Sequence, residues 1–292
     1  MEFIAIINAV INGIVLGTLL SLPILAITMV FGISRFPNAA TGDYMTLGAY
    51  TAVATQTWIS GSLVLAVLGA GLVTALVSVF FYLWVFRALA QRSNVARLIA
   101  SLGVAFVVRT TITFFAGQDQ YNLEMPRMMR AWNYHGIRIL PMDVYILLTA
   151  IGALAIAFLI LHATPLGRRM RAVADNPDLA AASGIRARRV MLYLWILSGF
   201  FCGLGGVLLA IKAVVVPELG FELLMPMFAA VVLGGIGNPI GAVVGSLVFG
   251  ISQEIATLYV GPSYKIVMAF LVLLLLLLFR PQGLFGRPMM AR

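Results

Sequence analysis

Long runs of apolar residues, separated by gaps too short to hold a domain, are what most restrict how this chain can fold. The runs cover residues 3–33, 44–60, 63–86, 97–116, 143–163, 190–212, 225–238, 241–260 and 265–279. A membrane-spanning helix needs about 20 predominantly apolar residues, and most of these runs approach or exceed that length. The first is longer than a span requires, so it must tilt, kink at Pro23 or break. The run 225–238 is short and leads directly into Gly234-Gly235-Ile236-Gly237-Asn238-Pro239. That pattern predicts either a tight hairpin between spans or a re-entrant half-helix. Irregular backbone is not tolerated against lipid, so the turn is expected to lie against protein or water. The expected fold is all-α and polytopic, with about eight or nine transmembrane or re-entrant helices in a single domain over 1–292.

Composition agrees with bilayer as the solvent. Hydrophobic residues make up 62% of the chain and charged residues only 10%, against about 25% charged in a soluble domain. The net charge of +9 is better read as arginine flanking the spans than as a nucleic-acid surface. The lone cysteine, Cys202, sits in an apolar run and supports neither a disulfide nor a metal site. The opening Met1-Glu2-Phe3 is acidic and lacks the basic region of a cleavable signal, so the first run is expected to be retained.

Arginine sets the orientation. The segment 87–97 carries Arg87, Arg92 and Arg97. The segment 164–189 carries Arg168, Arg169, Arg171, Arg186, Arg188 and Arg189, and the tail carries Arg280, Arg287 and Arg292. Segment 213–224 carries Glu218 and Glu222 and no base. The first three are therefore cytoplasmic and the last is outside. The segment 117–142 then falls outside despite Arg127, Arg130 and Arg138, partly offset by Asp119 and Glu124. Nine full spans place the N-terminal end outside. The pairs Gly13/Gly17, Gly199/Gly203 and Gly241/Gly245 have the small-xxx-small spacing that lets membrane helices approach closely.

The cytoplasmic loop of about 164–189 holds a specified short helix. Asn176 can cap it, Pro177 suits its first position, and Asp178 favours the positive end of its dipole. Gly184 can end it in a left-handed conformation. A helix this short is marginal alone in water, so the pattern predicts one that docks into a partner. Orientation accounts for the arginines but not for the caps.

The stretch from Gly167 to Ile185 resembles the coupling segment of branched-chain amino acid ABC permeases of the LivH type, G-R-x-x-R-A-x-A-x-[ND]-x-x-x-A-x-x-x-G-I. It matches at Gly167, Arg168, Arg171, Ala172, Ala174, Asn176, Ala180, Gly184 and Ile185, and Pro177, Asp178 and Ala181 join these as coupling-loop candidates. Asn38 to Tyr50 is similar to the family's N-F-A-H-G-E-x-M-x-L-G-A-Y. Two departures stand out, Ala39 in place of Phe and Thr41 in place of His, which put any role of that His in doubt here. Leu233 to Gly245 is similar to L-G-G-x-G-S-x-x-G-A-x-x-G, and Arg280-Pro281-Gln282-Gly283-Leu284-Phe285-Gly286 also matches the family. The resemblance covers most of the chain in order. It implies a permease subunit of an ATP-binding-cassette importer in the bacterial inner membrane. Its partners would be a LivM-like second permease, two ABC ATPase subunits and an extracytoplasmic solute-binding protein. It implies amino acids as solutes, branched-chain or hydrophobic above all, with urea or short amides as the alternative within the family.

The residues themselves agree that energy comes from elsewhere. A Walker A loop requires Gly-Lys-[Ser/Thr], and the two lysines, Lys212 and Lys265, do not follow glycine. ATP and Mg are therefore expected on partner subunits, with no cofactor in this chain. Charges inside spans are functional suspects, which singles out Arg109 and Glu254 as interior charges and a possible pair. Asn8 and Asn12 share one face of the first run at i, i+4. Asn12, Asn38, Thr41 and Gly42 join Arg109 and Glu254 as candidates for the translocation path or its packing. His135 and His162 do not cluster, and no nucleophile–base or metal spacing is present, which argues against an intramembrane enzyme. A secondary transporter or channel remains the competing class. The capped loop discriminates, since such a protein has no ATPase to dock.

Overall fold

Helix α1 (Glu2–Ser34) turns the longest apolar run into one unbroken helix of 33 residues, about 50 Å long at 1.5 Å per residue. Pro23 lies inside it without ending it. The helix is apolar on all faces and mostly enclosed by protein, as expected of a helix with no polar side to present. The computed structural model describes residues 2–58, 62–123, 132–134, 136–261, 264–280 and 282–286. Met1, Glu124, Arg127, Arg130, His135, Pro281, Arg287 and Arg292 lie outside the described residues.

After α1 come α2 (Ala40–Trp58), α3 (Leu63–Phe81, continued by a π-helical turn over Tyr82–Phe86), α4 (Asn94–Ala116) and α5 (Pro141–Ala163). They are followed by the short α6 (Pro165–Asp175) and α7 (Pro177–Ala182), then α8 (Ala187–Lys212), α9 (Leu219–Gly234), α10 (Pro239–Val260) and α11 (Lys265–Phe279). Six helices, α1, α3 with its π turn, α4, α5, α8 and α10, are long and apolar enough to cross a membrane. Most of α1 and α8 is enclosed, whereas only about a third of the residues of α3, α4, α5 and α10 are buried within this chain. Central α2 is less apolar than these but largely buried, packed among α3, α4, α8 and α9.

The glycine pairs sit at helix crossings. A side chain at Gly13 or Gly17 would run into the backbone of α10 at Ile251 or Leu247. Gly199 and Gly203 lie against Thr74, Ala75 and Ala70 of α3, and Gly241 and Gly245 against Gly234 and Ala230 of α9. These contacts are packing, the small-residue mode of helix association in lipid. The π turn carries Tyr82 and Phe86 onto Trp195 of α8, with ring centroids 5.7 and 4.6 Å apart.

Contacts at the helix ends sort the two faces. On one, β1 (Trp132–Tyr134) and β2 (Ile137–Ile139) form an antiparallel hairpin with Asn133 opposite Arg138. Asn8 of α1 holds it, donating to the Gly136 carbonyl at 3.2 Å and accepting from the Arg138 amide at 3.0 Å. Tyr121 pairs with Val215 on the same face. This ties the segment after α4 to the acidic segment after α8, and puts the start of α1 there too. The opposite face holds α6, α7 and most of the described arginines, the pattern that the positive-inside rule associates with a cytoplasmic side.

Two boundaries move from their sequence-based positions. The run 44–60 begins at Ala40 as α2, because Thr41, Gly42 and Asp43 are helical despite their polarity. The run 225–238 becomes α9, from Leu219 to Gly234, with 16 residues. At about 24 Å it is shorter than a hydrocarbon core of about 30 Å. The turn between α9 and α10 lies against the C-terminal segment: the Leu284 and Phe285 amides donate to the Leu233 and Gly234 carbonyls at 2.8 and 3.0 Å. The C-terminal segment thus covers the turn on the side of Gly234 and Gly235, while Ile236 and Gly237 are exposed.

Candidate functional site

The loop between α5 and α8 folds around its caps. Thr164 accepts from the Gly167 amide at 3.3 Å and Pro165 opens α6. Arg168 is exposed, while Arg171 turns back to donate to the Leu161 carbonyl of α5 at 2.6 Å. Met170 and Val173 are buried beneath the helix, and Gly167 is buried where any side chain would strike the Leu161 backbone. This amphipathic helix lies on the bundle with its arginines outward.

At its end the chain re-caps. The Asn176 side chain accepts from the Asp178 and Leu179 amides at 3.1 and 3.0 Å, with Pro177 at the first helical position and Asp178 in the first turn of α7. Gly184 takes φ +80°. The Ile185 amide then reaches the Ala180 carbonyl at 3.0 Å, the Schellman closure of a helix C-terminus. Ala180 is buried and Ile185 half-buried, whereas Ala181 is exposed and Leu179 is 65% exposed. α7 is thus a six-residue helix capped at both ends that presents Leu179 outward from the bundle.

The second constellation is inside the membrane. Arg109 of α4 makes a bidentate pair with Asp43 of α2, Nε to Oδ1 at 2.9 Å and Nη2 to Oδ2 at 3.1 Å. The Asp43 side chain is fully buried and that of Arg109 is 13% exposed. The guanidinium also lies over the Phe221 ring of α9 at 4.1 Å and near Phe106 at 5.4 Å. One turn on, Thr46 accepts from the Gly220 amide at 2.9 Å, and Gly42 meets Gly220 backbone to backbone. The start of α9 is therefore fixed on α2 by a glycine crossing, a hydroxyl and a stacked cation. The other ion pair among the described residues joins Lys212 to Asp143 at 2.7 Å, near the extracytoplasmic ends of α8 and α5.

The remaining candidates separate. Asn38, Thr41 and Gly42 are all buried; Asn38 accepts from the Ala40 amide at 3.2 Å and Thr41 donates to the Asn38 carbonyl at 2.9 Å. They form the start of α2. Asn12 is exposed on α1, while its neighbour Asn8 grips the hairpin. Glu254 is half-buried on α10. The carboxylate opposite Arg109 is Asp43, not Glu254. Sequence reasoning passed over Asp43 because it stands one residue before the run 44–60. The available signal was an intramembrane arginine in need of a counter-charge and an aspartate inside the Asn38–Tyr50 motif. Phe221 and Gly220 carried no such signal.

Comparison with known proteins follows the same outline. The family described as "Branched-chain amino acid transport system / permease component" matches residues 9–278. The high-affinity branched-chain amino acid transport system permease protein LivH of Escherichia coli is 29% identical, over 98% of this chain and 97% of its own length. The corresponding BraD of Pseudomonas aeruginosa is 27% identical, over 95% of each. Among solved structures, PsaBC from Streptococcus pneumoniae in complex with Fab has a TM-score of 0.50 at 15% identity, covering 95% of this chain and 92% of that chain. It shows likeness of fold alone.

Proposed function

The chain belongs to the branched-chain amino acid transport permease family, and from that premise we propose that it forms, together with a LivM-like second permease, the path by which branched-chain amino acids enter the cytoplasm. It is a multi-pass inner-membrane permease subunit of an ATP-binding-cassette importer. Two separate ATPase subunits bind ATP and Mg and hydrolyse the nucleotide, and an extracytoplasmic binding protein delivers the solute. This chain contributes no catalytic group. Its two lysines stand outside any Gly-Lys-[Ser/Thr] sequence, so it lacks the phosphate-cradling loop such hydrolysis needs.

The observation that carries the reading is α7, capped by Asn176, closed at Gly184 and offering Leu179 to a partner. Residues 167 to 185 act as the coupling loop: Arg171 holds α6 to the end of α5 and Arg168 lies exposed beside it, Asn176, Pro177 and Asp178 set α7, and Ala181 with Leu179 forms the docking face. The solute is the one named for LivH and BraD. The test is reconstitution in proteoliposomes with the second permease, the ATPases and the binding protein. Uptake of labelled leucine should require ATP and every component, with competition by isoleucine or valine but not by urea or acetamide. Uptake without ATPase subunits would support a secondary transporter instead, and robust ATPase activity from the isolated chain would remove the subunit assignment.

A further inference from the structure

The connector between α1 and α2 concentrates features that are costly to hold. Arg35 has φ +58° and is the described non-glycine residue with positive φ, a conformation that costs an ordinary side chain about 1–2 kcal/mol. Asn38 is fully buried, and its Nδ2 finds no hydrogen-bond partner among the described residues. Arg97 of α4 reaches in to donate from Nη1 to the Ser34 carbonyl at 2.7 Å and lies 5.2 Å from the Phe36 ring centre, while its buried Nε is unpartnered. Strain and unsatisfied polar groups of this kind cluster where a segment has more than one working arrangement.

The connector also joins the two constellations described above. From its strained position Arg35 donates Nη2 to the Ala174 carbonyl of α6 at 2.6 Å, two residues before the Asn176 cap. On the other side, the Ala39 amide donates to Ser101 of α4 at 3.1 Å. The Asp43–Arg109 pair follows four residues later. A continuous series of bonds thus runs from the coupling loop through 34–39 to the start of α2, and across it to Phe221 on α9. Orientation alone asks only for a positive charge at this face. It asks for neither a left-handed arginine nor its bond to a backbone carbonyl.

We propose that Arg35 is a positioning residue that transmits movement of the coupling loop to the membrane helices, with residues 34–39 as the hinge. The proposal rests on the importer reading. In it, ATPase closure shifts α7 and α6, the Arg35–Ala174 bond carries the shift into the hinge, and α2 moves with the Asp43–Arg109 junction attached.

The experiment uses the complete complex in proteoliposomes and measures leucine imported per ATP hydrolysed. Arg35→Gly removes the guanidinium and at the same time relieves the backbone strain, since glycine adopts positive φ freely. Arg35→Lys keeps the charge, with its three N–H donors on one nitrogen, but loses the planar fork of the guanidinium. Both variants should co-purify with the ATPases and hydrolyse ATP at the basal rate. Arg35→Gly should lower import per ATP tenfold or more and lose stimulation of hydrolysis by leucine-loaded binding protein, with Arg35→Lys intermediate. Wild-type coupling in Arg35→Gly overturns the proposal alone. Loss of assembly in both variants also overturns it, because Arg35 is then only structural. Failure of the wild-type complex to import leucine overturns the importer reading, and the proposal with it.

Discussion

Replacing Asp43 by asparagine should destabilise the protein by about 2–4 kcal/mol while leaving it inserted. The carboxylate is fully buried and bound bidentately to Arg109. Removing one partner of a buried pair costs about 3–5 kcal/mol, because the other charge is left uncompensated. Part of that is offset, since the guanidinium keeps the Phe221 face at 4.1 Å and Phe106 at 5.4 Å, contacts worth about 0.5–2 kcal/mol together. Arg109→Gln should cost about 3–5 kcal/mol, without such an offset, because aromatic faces do not stabilise a carboxylate. The double variant should be less unstable than the sum of the two by about 2 kcal/mol, within the range of coupling found for residues in contact. The assay is reversible unfolding in mixed micelles, followed by circular dichroism on wild type, both single variants and the double. Additivity within about 0.5 kcal/mol would refute the pair. So would a larger coupling of Arg109 with Glu254→Gln than with Asp43→Asn.

Gly220→Ala should destabilise by about 1–3 kcal/mol through overpacking, since its new methyl would meet the Gly42 carbonyl; folding yield and unfolding midpoint in detergent report it. Gly184→Val should leave insertion intact but weaken co-purification of the ATPases, because a β-branched residue at φ +80° strains the α7 closure by about 1–3 kcal/mol, while Gly184→Asn should be tolerated. Leu179→Asp should abolish ATPase docking without changing the stability of the isolated chain, as the side chain is 65% exposed; an unchanged pull-down would count against α7 as the docking element. Lys212→Ala should cost about 1–3 kcal/mol by the same unfolding assay, because it leaves the Asp143 carboxylate, only 5% exposed, without its counter-charge.

The helices were legible where one physical signal dominated. The apolar runs place α3, α4, α5, α8 and α10 within a few residues, since length and hydropathy are what lipid selects. Glycine spacing marked crossings for the same reason. The caps of α7 were legible down to single residues, because Asn176, Pro177 and Gly184 act on the backbone beside them and need no tertiary partner. The start of α2 was obscured by its own chemistry. Thr41, Gly42 and Asp43 lower local hydropathy, yet the bundle encloses them. A polar helix can sit at the centre only because its charge is met from α4 and its close approach is matched by Gly220 on α9.

Pairing across distance was the part the linear chain did not expose. Asp43 and Arg109 are 66 positions apart, and nothing in either local pattern names the other. Hydropathy treats both as defects, and the cost of a lone intramembrane charge says only that a partner exists. Glu254 is the acidic residue that an apolar run singles out, whereas Asp43 stands one residue before a run and draws no notice. The choice of Asp43 follows from topology instead. The Arg97–Ser34 and Ser101–Ala39 bonds align the beginning of α2 beside α4, which sets Asp43 opposite Arg109. The same alignment puts Arg35 over Ala174. The interior pair and the contact to the coupling loop are therefore consequences of one placement, the connector 34–39. A change that frees this connector should be felt at both ends, in the docking of α7 and in the stability of the Asp43–Arg109 junction.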